Sequence, residues 1–128
     1  RGLGAERASN MVALKELTDR NIPVSLHSDF AMAPADPLML AWAAINRVVA
    51  SGEKMNPALG ISVYNGMKGI TIDAARTFEM EDELGSITTG KQASFTILKD
   101  NPFKINPIDI KDIDIKGVVY KGRYITNE

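Results

Sequence analysis

The run Val24-Ser25-Leu26-His27-Ser28-Asp29 sets an imidazole and a carboxylate at the end of a short apolar stretch. If Val24–His27 is a strand, Asp29 stands just beyond its C-terminal tip, where α/β proteins gather reacting groups. The same residues also read more plainly as a turn, with Asp29 capping it and His27 a satisfied polar neighbour. His27 is the single histidine and the sequence has no cysteine, so these residues hold neither a multi-histidine nor a thiolate metal site.

The elements flanking this run are legible from spacing. Apolar Met11, Leu14 and Leu17 recur at helical intervals, predicting a helix over Ala5–Arg20 with Lys15, Glu16, Asp19 and Arg20 on its wetter side. Asn21 is a helix C-terminal cap, and Pro23 stops continuation. Residues 28–35 read as a loop. Asp36 followed by Pro37 is an N-cap with proline at the first helical position. The helix it opens, Leu38–Val49, is apolar around most of its girth and therefore needs neighbours on more than one side. Trp42 and Met39 are expected in the core. Arg47 is expected on a solvated helix face, with a substrate-binding cation as the alternative.

Residues 51–60 form a second loop, after which Ser62 caps a helix and Ile72–Phe78 forms another. The acidic run Glu79–Glu83 reads as a solvated turn and not as a metal site. From Gly85 onward the character is β. Phe95–Leu98 reads as a strand, Asn106-Pro107 as the start of a helical turn, and Asp114–Tyr120 pairs with Arg123–Thr126 across Lys121-Gly122. Division therefore falls at residues 1–84 (α/β) and 85–128 (β).

Composition removes several function classes. Of 128 residues, 15 are basic and 16 acidic, a formal charge of −1 with neither sign gathered into a patch. Nucleic-acid binding needs a concentrated basic footprint. No apolar run reaches the roughly 18 residues that span a bilayer. No signal peptide opens the sequence, and the lack of cysteine fits a cytoplasmic protein.

Several motifs stand in a recognisable order: His27-Ser28-Asp29, Pro34, Asp36-Pro37, Ile72-Asp73-Ala74-Ala75 and Leu84-Gly85-Ser86-Ile87. The stretch from Gly85 to Pro102, GSITTGKQASFTILKDNP, is similar to the G-S-I-x-x-G-K-x-A-D-x-x-V-L-D-x-x-P signature that closes many amidohydrolases. From Asn21 to Tyr124 the sequence resembles the amidohydrolase superfamily, in particular the amidohydrolase 3-type metal-dependent hydrolases related to N-acyl-amino-acid deacylases.

The resemblance implies the C-terminal fragment of a TIM-barrel enzyme followed by strands of a small composite β-sandwich. Val24–His27 would be the last barrel strand. Asp29 would contact a catalytic divalent metal, zinc in the simplest case, and exchange a proton with its bound water. Phe30 and Met32 would lie near an amide-like small-molecule substrate. No metal role carries over to His27.

The family's other ligands, an early His-x-His pair and later histidines, have no counterpart here. The 128 residues alone are accordingly expected to bind no metal and to be inactive, and to self-associate over uncovered apolar faces. Ser94 stands where the signature has Asp, a position that fixes the turn into a strand. The alternative from another class is a non-catalytic interaction or assembly module that retains this C-terminal fold.

Overall fold

The computed structural model describes residues 4–29 and 32–126. Among these residues five α-helices precede a three-stranded antiparallel sheet: α1 (Ala5–Ser9), α2 (Leu14–Thr18), α3 (Pro37–Asn46), α4 (Val63–Gly69), α5 (Ile72–Thr77), β1 (Phe95–Leu98), β2 (Ile115–Tyr120) and β3 (Arg123–Thr126). Among the described residues no helix is long and apolar enough to cross a membrane.

The helix expected over Ala5–Arg20 is two short helices with a break between them. At the break Val12 adopts φ 54, a costly conformation for a β-branched residue. Arg47 offsets that cost. Its guanidinium donates to the carbonyl oxygens of Ser9 (2.9 Å), Met11 (2.9 Å) and Val12 (2.8 Å), and its Nε donates to Met55 O (3.1 Å). Arg47 thus belongs neither to a solvated face nor to a substrate cation site. It ties α1 to the end of α3.

α2 ends as read. Asn21 takes φ 57, its N–H reaches Thr18 O (3.0 Å), and the N–H of Ile22 reaches Leu17 O (3.0 Å). These are the two bonds of a Schellman termination.

Asp36 caps α3 by accepting the Met39 N–H at 3.2 Å. The helix stops three residues short of the expected Val49. Arg47 turns left-handed (φ 56), and Val48 instead forms an isolated antiparallel bridge with Lys54. Leu38 and Trp42 join Ile110 and Ile113 in the core, with Ile45, Val63, Met67 and Leu98 packed around them. Trp42 Nε1 donates to Ile108 O (2.6 Å), and Asn46 Nδ2 donates to Pro107 O (2.9 Å). These bonds satisfy polar groups where α3 meets the 3-10 helix Pro107–Asp112. Met39, expected in the core beside Trp42, is 39% exposed and lies outside the core cluster.

Ser62 caps α4 through the Asn65 N–H (3.1 Å). In the sheet, Phe95 pairs with Val119 and Leu98 with Ile115, with a register shift between Ile97 and Leu98. Gly117 pairs with Thr126 and Tyr120 with Arg123. Lys121 (φ 50) and Gly122 (φ 77) make the two-residue turn between β2 and β3. The sheet leaves Phe95, Ile115, Tyr120, Tyr124 and Ile125 exposed.

Candidate active site

Val24–Leu26 is the foundation on which His27 and Asp29 stand. Val24 is buried, and the Leu26 N–H donates to Gly69 O at 3.0 Å, so the segment is held against the end of α4. A Cβ at Gly69 would sit 3.0 Å from Leu26 Cγ and 3.0 Å from Val24 O. The missing side chain therefore permits the approach. The strand expected over Val24–His27 does not form: these residues carry no strand pairing in the structure. A strand is defined by its hydrogen-bonded neighbours, and no described strand runs beside this segment.

Asp29 is exposed, with its backbone in the left-handed region (φ 53). The Asp29 N–H donates to His27 Nδ1 at 3.2 Å, and the Asp29 carbonyl oxygen accepts the Met32 N–H at 3.1 Å. Nδ1 of His27 is thereby engaged as an acceptor. Of the two substrate-proximal residues named from the sequence, Met32 is 80% exposed and Phe30 lies outside the described residues.

Among the described residues no three His, Cys, Asp or Glu side chains are placed to hold a metal ion. One exposed carboxylate next to one engaged imidazole is short of the three protein ligands a hydrolytic zinc ion requires. What the arrangement can do unaided is present a carboxylate on a fixed turn, able to hold or move a proton.

The structural roles of three side chains escaped the sequence reading. Asp73 is buried in α5, 2.7 Å from Arg76 Nη1 and 3.5 Å from Lys68 Nζ. The Asp73–Arg76 spacing was its visible signal. Lys91 of the glycine-rich stretch donates through Nζ to the carbonyl oxygens of Glu81 and Leu84, closing the acidic turn. Arg47 borders a cavity of about 210 Å³ lined also by Met11, Val48 and Met55, to which Val24–Asp29 contribute no side chain. Ser94, which replaces the Asp of the signature, makes two side-chain hydrogen bonds. Its Oγ accepts the Lys121 N–H (3.1 Å) and donates to Gln92 Oε1 (2.8 Å), holding the β2–β3 turn against the start of β1.

A model of the amidohydrolase family matches residues 1–126. The chain belongs to the amidohydrolase family. It is 31% identical over 106 residues to a putative amidohydrolase, YtcJ, of Bacillus subtilis, covering 80% of this chain and 20% of that protein. It is 27% identical over 89 residues to an N-substituted formamide deformylase of Arthrobacter pascens, covering 70% of this chain and 16% of that protein. The crystal structure of an amidohydrolase from Thermotoga maritima superimposes with a TM-score of 0.65 at 18% identity, over 97% of this chain and 26% of that one. That likeness shows a shared fold. The chain thus spans a fifth or less of the curated relatives' length.

Proposed function

We propose that this chain is the C-terminal part of a metal-dependent amidohydrolase that cleaves amide-like C–N bonds, with Asp29 as its proton-transferring carboxylate. The observation that supports the assignment most is the placement of Asp29. In a chain of this family, an acid stands exposed on a turn whose backbone is pinned on both sides. On this reading Val24–His27 is the last strand of a TIM barrel and pairs when the neighbouring strands are present. Residues 85–128 supply strands of a small sandwich.

The reaction consumes water and an amide and releases an acid and an amine. Asp29 accepts the proton lost by the attacking water, and the carboxylic acid so formed gives it to the departing nitrogen. A divalent metal, zinc in the simplest case, is part of the proposal but does not fit the donors of these 128 residues. Its imidazole ligands belong to polypeptide outside them. The chain alone is expected to be inactive and to self-associate over the exposed apolar side chains of the sheet.

The test uses the intact polypeptide that carries this chain, with N-formyl and N-acetyl alkylamines as probes and release of free amine as the readout. Asp29→Asn is expected to lower turnover by at least about a hundredfold while leaving the unfolding midpoint in place. Undiminished turnover would remove Asp29 from the chemistry. Absence of turnover in the wild type across amide probes would favour the non-catalytic module.

A further inference from the structure

We propose that His27 is a positioning residue for Asp29, acting through the backbone of the turn rather than on the substrate. The inference rests on the reading of Asp29 given above. A residue with a side chain is disfavoured at φ 53, and Asp29 is exposed, so burial does not hold it there. Two hydrogen bonds do. His27 Nδ1 accepts the Asp29 N–H at 3.2 Å, and the Met32 N–H caps the Asp29 carbonyl oxygen at 3.1 Å.

An acceptor on the side chain two residues before an N–H is the geometry by which Asn and Asp close Asx turns, and the imidazole imitates it here. With Nδ1 accepting, the ring proton of the neutral imidazole sits on Nε2. A left-handed residue directs its Cα–Cβ bond differently from one in the ordinary basins, so the imidazole decides where the carboxylate points. Loss of the acceptor frees Asp29 to relax and swings its carboxylate away from the direction this turn sets. Misplacing a reacting group by about 1 Å costs up to about a hundredfold in rate.

This mechanism predicts a particular pattern of rescue. His27→Phe keeps a ring but has no acceptor, whereas His27→Asn restores an acceptor that can reach the N–H two residues on. In the intact polypeptide, assayed with an N-formyl alkylamine, H27F is expected to lose about tenfold in kcat at unchanged KM. H27N should recover most of that loss. Hydrogen exchange over residues 24–29, read by mass spectrometry on the same proteins, should be faster in H27F than in wild type or H27N.

Equal kcat for H27F and wild type, with Asp29→Asn inactive, overturns the inference and leaves the role of Asp29 standing. Equal impairment of H27F and H27N, or equal exchange in all three proteins, overturns it as well. Full turnover by Asp29→Asn overturns both the role of Asp29 and the positioning role of His27.

Discussion

The sheet of residues 95–126 and the segment Val24–Asp29 are built from similar apolar residues and are held in opposite ways. In the sheet, β2 pairs on both sides, and Leu98 packs against the core cluster of Leu38, Trp42, Ile110 and Ile113. Val24–Asp29 has one described backbone bond to another element, Leu26 N–H to Gly69 O at 3.0 Å, and ends on an exposed turn. Antiparallel strands joined by a two-residue turn bring their partner with them. A strand of a parallel sheet depends on segments distant in sequence. The contrast separates a region whose strands find their partners within these residues from one whose backbone has a single such bond.

The largest effect expected on this contrast is that of Trp42→Ala. It empties the centre of the cluster and strands Ile108 O, costing about 3–5 kcal/mol by chemical denaturation. A loss of that size approaches the whole stability of a small domain. A cost below about 1 kcal/mol would break the comparison, since the sheet would then not lean on α3.

Gly117→Val probes the sheet alone. A Cβ there lies 2.8 Å from the Tyr124 ring and 2.9 Å from Ile125 O, so β2 and β3 must part. A destabilisation of about 1–3 kcal/mol is expected, together with faster amide exchange in β3.

Gly69→Ala is the counterpart on the other side. Its Cβ presses on Leu26 and Val24, moving the Asp29 segment while costing only about 1 kcal/mol of stability. In the intact polypeptide it should lower turnover of an N-formyl alkylamine by about tenfold. Loss of stability without loss of turnover would show that the segment does not set the carboxylate.

The smallest effect belongs to Lys99 at the edge of the sheet. The Asp114 carboxylate, hydrogen-bonded to Lys99 Nζ at 3.0 Å, raises the ammonium above its ordinary value of 10.5. A raised basic group stabilises the fold below its ordinary value, and that contribution fades as pH rises through the raised one. Lys99→Met should therefore change thermal stability slightly at neutral pH, less in high salt, and not at all in strongly alkaline solution.

Elements whose determinants lie within a few residues were legible. Asp36 and Ser62 cap α3 and α4 as their types and positions imply, and Asn21 ends α2. β1 runs over Phe95–Leu98, and Lys121-Gly122 turns the hairpin. The break in the first predicted helix was not legible, because its cause is Arg47, which lies 35 residues or more from the carbonyl oxygens it collects. α3 ends early where Arg47 turns left-handed. Met39 and Trp42 look alike in pattern, yet only Trp42 is buried, with its Nε1 bonded to Ile108 O.

The candidate site divides along the same line. Residue types alone decided that an acid and the one imidazole stand two positions apart, that Asp36 and Ser62 open helices, and that the last third turns to β. Those features are governed by side-chain chemistry acting over a turn or less. Tertiary structure decided that Val24–His27 stays unpaired, that Arg47 is a clamp and that Asp73 is buried. Each of these depends on which atoms meet across the fold, and the energy of such a meeting is not written in either partner alone.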